Sequence, residues 1–308
     1  MEQTYLFFID DVIWSFRELA QKRPKSLFDQ PFFAMLRQAH DQYGLKTQLN
    51  CFYQTDNYYG NDDFSLAQMP DCWKDEFQAS AHWLKLAFHA RQEFPDYPYI
   101  NASYRQVYED YQKIQREVER FAGAESFTHA VVPHWLPVSY DGCRALYDCG
   151  VRLISVTDGP RTEYDGNPNS LPYGHAARLL QDRKPEAMLY TRNTDDVAIQ
   201  RSACSYNHSD DPRFPETYRT TESLPDEKTG LWFKKFSDDT VLNLCTVEST
   251  KTMLAERLQD AYIGVADHEQ YFYPHYFAYQ PDYAEKVLLS AKILSEAGFR
   301  CIFAEELL

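Results

Sequence analysis

No lysine- or arginine-rich run breaks the acidic character of this chain of 308 residues. Lys and Arg number 31 against 46 Asp and Glu, a net charge of −15. That balance argues against nucleic acid and anionic membrane surfaces as partners. No apolar stretch approaches the roughly 20 residues of a membrane helix. There is also no basic segment ahead of a long apolar one at the N-terminus, because residues 6–9 run straight into Asp10 and Asp11. The expectation is a cytoplasmic protein with no membrane partner. C-x-x-C pairs are missing too. The cysteines (Cys51, Cys72, Cys143, Cys149, Cys204, Cys245, Cys301) are odd in number, which reads as reduced thiols and not a disulfide framework. Without a secretory signal, the glycosylation-like triplets at Asn101 and Asn207 carry no meaning. Internal repeats and low-complexity tracts are absent.

What the chain does have is an apolar fraction of 44%, enough for one large α/β barrel or two smaller domains. Strand-like runs alternate with helical ones. Strands are expected over 5–9, 46–53, 83–89, 127–133, 151–156, 240–246, 262–266 and 300–304, and helices over 31–43, 104–121, 140–149, 251–258 and 281–297. Gly44 and Gly298 end two of those helices. This order predicts an α/β fold: one deformed (β/α) barrel of seven or eight mostly parallel strands over 1–308. An irregular, proline-punctuated insertion is expected near 157–238, with a hairpin from 187–191 and 197–202. Tyrosines in loop-like contexts (Tyr58, Tyr59, Tyr97, Tyr99) suit the apolar faces of sugar rings.

The first strand carries the strongest signal. An apolar run ending in two adjacent carboxylates must leave the core there, since like charges repel and burial penalises their ionisation. Such a tip is either solvated or holds a cation. His89, His134 and His268 also stand at or just past predicted strand ends, where the sites of β/α barrels lie. Separated segments thus deliver Asp and His to one rim, the arrangement of a divalent-metal hydrolase.

With these landmarks the chain resembles the polysaccharide deacetylase family with NodB-type homology, in the glycoside hydrolase/deacetylase β/α-barrel superfamily. Phe7-Phe8-Ile9-Asp10-Asp11 looks like its first motif, which implies Asp10 as catalytic base and Asp11 as metal ligand. His89-Ala90-Arg91-Gln92-Glu93 is similar to the second, a ligand pair four residues apart. Val131-Val132-Pro133-His134-Trp135 resembles the third, which shapes the pocket and oxyanion site. Asp267-His268-Glu269 looks like the late motif, implying His268 as general acid. Three positions depart from the pattern: Glu93 stands where a second histidine is usual, a valine replaces the arginine of the third motif, and Glu269 replaces an aspartate.

Asp11 and His89 suit zinc or a similar first-row divalent ion. The third ligand is His134 by its nitrogen and strand-end position, or Glu93 by motif spacing. Trp14 and Trp135 are candidate stacking platforms, the N–H of Trp135 a candidate oxyanion donor, and Glu269 and Tyr271 candidate substrate contacts. Arg91, Asp96 and Tyr97 read as a solvated loop face, with substrate contact as the alternative. The function expected is removal of an acyl group from an amino sugar or related carbohydrate. Two alternatives stand beside it: a glycoside hydrolase pairing Asp10 with Glu93 or Glu269, and a barrel that binds metal or sugar without turnover.

Overall fold

A computed structural model describes residues 2–55, 63–93, 97–157, 205–237 and 240–308. Its centre is a parallel β/α array. Strand β1 (Thr4–Val12) is buried along its whole length. On one edge it pairs with β9 (Tyr262–His268), in register from Thr4↔Tyr262 to Asp10↔His268. Its other edge is shared between β10 (Arg300–Ile302), which pairs with Thr4 to Leu6, and β2 (Thr47–Phe52), which pairs from Phe8 onward. The sheet continues through β3 (Leu84–Ala90) to β4 (Phe127–Thr128).

After His129 the same extended segment resumes as β5 (Ala130–Val131) in a second sheet. There it lies parallel to β6 (Leu153–Ser155), which is followed by β8 (Trp232–Lys234). A short β7 (Leu224–Pro225) runs antiparallel on β8. The circle returns to β9 through a bridge between Val241 and Ala266 and through close approach of 236–237 to Gly264. A Cβ on Gly264 would lie 1.5 Å from the Phe236 carbonyl oxygen, so only glycine lets the two backbones meet. Tyr262 then donates its hydroxyl to that carbonyl at 2.7 Å. The result is an α/β fold of deformed-barrel form, with mostly parallel strands.

Alternation along each strand sorts the residues into two cores. Leu6 and Phe8 face inward with Ala130, Val132, Leu153, Tyr262 and Ala266. Tyr5, Phe7, Ile9, Leu49, Leu86, Phe88, Ile263 and Val265 face outward, under the helices. Those helices are α1 (Trp14–Lys22), α2 (Pro31–Tyr43), α3 (Lys74–Ser80), α4 (Tyr104–Phe121), α5 (Tyr140–Asp148), α6 (Val247–Arg257) and α7 (Tyr283–Glu296). Helix α2 ends as expected, with Gly44 left-handed at φ 70° and its N–H on the His40 carbonyl.

Several expectations are corrected. The strand expected over 240–246 is a single bridge at Val241 followed by a 3₁₀ turn, Leu242–Leu244. The Thr240 carbonyl still accepts from the Ala266 N–H of β9, but those of Leu242, Asn243 and Cys245 are taken by side chains from the α7 side. The strand over 127–133 is broken at His129, whose ring nitrogen meets the Tyr111 hydroxyl at 2.6 Å. Helices α1 and α3 were not anticipated. The expected hairpin, most of the insertion near 157–238, Tyr58, Tyr59, Asp96 and Cys204 lie outside the described residues. Every described cysteine is unpaired, as expected. Asn207 is wholly buried, accepting from Val138 N–H and donating to the Leu136 carbonyl. Among the described residues no helix is long and apolar enough to cross a membrane.

Candidate metal centre

At the C-terminal end of β1 the alternation fails, and the failure builds the site. Asp10 follows Leu6 and Phe8 inward. Asp11 should follow Ile9 outward, but its φ of 63° lies in the left-handed region and the pairing with β2 shifts register between Ile9 and Val12. This bulge brings both carboxylates to the same side. Aspartate tolerates that conformation better than most residues, at a cost of order 1 kcal/mol or more.

Asp11 Oδ1 lies 3.0 Å from His89 Nε2 and 3.1 Å from His134 Nδ1, and those two nitrogens are 3.1 Å apart. All three residues are buried, and among the described residues they form the one group of such side chains whose donor atoms converge. The far nitrogen of each ring meets a carbonyl: His89 Nδ1 that of Val132 at 2.6 Å, His134 Nε2 that of Glu93 at 2.9 Å. A carbonyl can only accept, so these contacts assign the N–H to the far nitrogens. In neutral rings the near nitrogens are then bare lone pairs, aimed at each other and at a carboxylate. Three electron-pair donors facing one another repel unless a proton or a cation lies between them.

The edges of this triangle fit a divalent ion. For zinc–ligand bonds of about 2.0–2.1 Å in a tetrahedron, ligand atoms stand roughly 3.3–3.4 Å apart, slightly wider than the edges observed. A neutral-histidine pair with one carboxylate is also a donor set that zinc hydrolases use. The carbonyl contacts behind each ring fix its orientation and tautomer, as supporting residues around metal sites do.

Electrostatics follow from the same packing. Burial opposes charge on Asp11, yet His134 and His89 hold its carboxyl well below the usual range. Asp10 goes the other way: burial raises its pKa, with His89 and His268 pulling against it. Burial lowers the His134 ring, whereas the two aspartates outweigh burial at His89 and raise it.

Asp10 lies beside the triangle, its Oδ1 4.0 Å from His89 Nδ1. It accepts from Asn50 Nδ2 at 2.6 Å, and Asn50 in turn accepts from Gln48, which also donates to the Ala130 carbonyl. Gln48 and Asn50 are alternate residues of β2 facing into the barrel. They escaped the sequence reading because amides in a strand look like any polar residue; the signal was their spacing of two among apolar Leu49 and Cys51. His268 stands opposite Asp10 across the β1–β9 ladder, with Nδ1 2.9 Å from Asn243 Oδ1.

The remaining candidates are placed differently. Glu93 sends its carboxylate to Gln270 Nε2 at 3.1 Å and meets His134 through its main-chain carbonyl, whereas the converging group is Asp11, His89 and His134. Glu269 is fully buried and accepts from the N–H groups of Ile13, Trp14 and Ser15 at 2.7–2.8 Å. Both of its carboxylate oxygens are thus engaged in capping α1. Trp14 is buried against Tyr273, His275 and Tyr276, so it is a core residue and no platform. Tyr271 is buried too, with its ring 6.3 Å from His268. Trp135 is half-buried, with its ring 5.7 Å from that of His134 and 5.5 Å from that of Tyr97.

No family model matches this sequence, and no curated protein matches it. Among solved structures, the 4-alpha-glucanotransferase from Thermococcus litoralis superposes with a TM-score of 0.55 at 11% identity, over 100% of this chain and 40% of that one. The likeness is one of fold, and this chain spans well under half of that protein's length. The Xyl-CE4 domain of a multidomain xylanase from the hindgut metagenome of Trinervitermes trinervoides superposes with a TM-score of 0.39 at 10% identity, over 100% of this chain and 90% of that one.

Proposed function

We propose that this protein is a metal-dependent hydrolase of the carbohydrate deacetylase type, removing an acyl group from an amino sugar or a related small acylated substrate. The observation that carries the reading is the buried triangle of Asp11, His89 and His134, whose lone pairs converge with Asp10 and His268 beside it. Asp11, His89 and His134 would hold a divalent cation, zinc or a similar first-row ion. When bound, such an ion acidifies a water molecule and polarises the acyl carbonyl.

The chain's own groups supply the rest. Asp10, raised by burial and anchored through Oδ1 by Asn50, takes the proton of the attacking water. The main-chain N–H of Trp135, next to His134, is the donor assigned to the developing oxyanion. His268, across the ladder from Asp10, delivers a proton to the departing amine. Trp135 at the rim offers a ring face to the sugar. The acidic surface favours an uncharged or cationic substrate over a polyanion.

The test is elemental analysis of the purified protein, followed by acetate release from N-acetylated amino-sugar oligomers. One equivalent of divalent metal is expected, with activity lost on chelation and restored by the ion. Full activity in the stripped protein, or no stoichiometric metal, overturns the reading.

A further inference from the structure

The turn that replaced an expected strand is held in an unusual way. Lys286 of α7 is fully buried, and its ammonium donates to the carbonyls of Leu242 at 3.1 Å and Cys245 at 3.0 Å. It also donates to Gln280 Oε1, and Asp282 Oδ1 stands 3.6 Å away. Gln280 Nε2 in turn donates to the Asn243 carbonyl at 2.7 Å. Three main-chain acceptors of one short turn are therefore fixed from outside the barrel. Between them sits Asn243, whose Oδ1 lies 2.9 Å from His268 Nδ1.

A buried ammonium with carbonyl partners is costly to build where an apolar side chain would pack as well. A packing role alone does not call for a cation here. The carbonyls that the cation holds flank Asn243, the residue whose amide oxygen meets His268 Nδ1.

We propose that Lys286 and Gln280 are positioning residues for His268, acting through Asn243: the clamped amide oxygen accepts from Nδ1–H and so presents Nε2 to the reaction centre. Because the acceptor is an uncharged amide, it sets the tautomer and the ring plane without adding a negative charge beside the imidazole. His268 then exchanges its working proton through Nε2, on the side of Asp10. This inference rests on the hydrolase reading for its use, but its geometry is independent of turnover.

The experiment uses the full-length protein loaded with one equivalent of Zn²⁺. Long-range ¹⁵N–¹H spectra of the histidine side chains report which ring nitrogen carries the proton, with the His268 signals assigned by their loss in His268→Gln. The wild type is expected to show His268 protonated at Nδ1. Asn243→Ala and Lys286→Met are expected to shift it toward Nε2–H or to a mixture. On N-acetylated amino-sugar oligomers, kcat should fall about 10–100-fold, the range for residues that orient a functional histidine, with KM within about twofold. Asn243→Asp, which keeps the acceptor oxygen, should retain the Nδ1–H form.

If Lys286→Met does not fold, Gln280→Leu removes one hydrogen bond of the clamp and should give a smaller shift in the same direction. A wild-type ring protonated at Nε2, or ring signals unchanged in both Asn243→Ala and Gln280→Leu, overturns the proposal. An inactive wild type with the expected tautomer changes would sink the hydrolase reading and leave the clamp standing.

Discussion

Two neighbouring strands of this barrel end in nearly the same residue types and use them in opposite ways. β1 carries Asp10 and Asp11 near its end, and β9 ends in Asp267 and His268 with Glu269 just beyond, Asp10 and His268 standing directly across the ladder. On β9 strict alternation holds: His268 faces the site while both acids turn outward under the helices and become fully buried. On β1 the left-handed residue Asp11 breaks alternation, and both acids face the site. A single backbone dihedral thus decides whether a carboxylate at the strand end joins the cluster of acids and imidazoles or is buried under the helices. What differs is not the chemistry of the residue but which way the strand points it.

Breaking the β1 side should have the largest effect. Asp11→Ala and His89→Ala each remove one of the triangle's corners, and metal affinity should drop by more than about 100-fold, beyond what losing a merely supporting residue does. Isothermal titration with Zn²⁺ checks this, and tight stoichiometric binding by either variant would dismantle the centre.

Next comes Asp10→Asn, which keeps shape and the contact with Asn50 but cannot take a proton. Acetate release should decline by about 10²–10⁴-fold while one equivalent of metal still binds. That split separates the two adjacent acids. Loss of both properties together would mean that Asp10 is a ligand as well.

On the β9 side the effects should be on stability. Glu269→Ala leaves three buried N–H groups at the start of α1 without acceptors, so unfolding free energy should fall by about 2–4 kcal/mol. Denaturant melts measure it, and a change below about 0.5 kcal/mol would show that α1 does not need this cap. Ligand geometry at Asp11 should loosen as well, because α1 begins three residues beyond it.

A last effect, gradual and confined to a pH window, sharpens the contrast further. Burial raises the Asp267 carboxyl from its ordinary 3.8 to about 8, with weaker opposing pulls from the His268 N–H and Lys286. A carboxyl raised in the folded state contributes fully below its unfolded value and loses that contribution as pH climbs through the folded one. The wild type should therefore lose stability between about pH 4 and pH 8 from this group, with a slope of up to about 1.4 kcal/mol per pH unit. Asp267→Asn should flatten that part of the profile and leave metal binding intact. An unchanged slope in melts across this range would contradict the burial account.

Much of the architecture is legible in the sequence. The strands expected over 5–9, 46–53 and 83–89 and the amphipathic stretches at 31–43 and 104–121 coincide with elements to within a few residues, because apolar runs and helical periodicity are local signals. Helix α1 was not readable, since its cap is Glu269, distant by 254–256 positions along the chain. The strand expected over 240–246 was also misread: local propensity gave way to a buried lysine on another element. The convergence of Asp11, His89 and His134 was visible as a pattern of strand ends. The duties of Glu93, Glu269, Trp14, Asn50 and Asn243 were not.

The sequence by itself determined the alternation of strands and helices, the two-faced burial of the central strands and the delivery of acids and imidazoles to one rim, because periodicity and composition are local properties. Only the tertiary structure decided which of those groups face the site. That choice depends on a left-handed residue at Asp11, on carbonyls that lock two imidazole rings, and on helix termini that claim a nearby carboxylate, all contacts between segments remote in the chain.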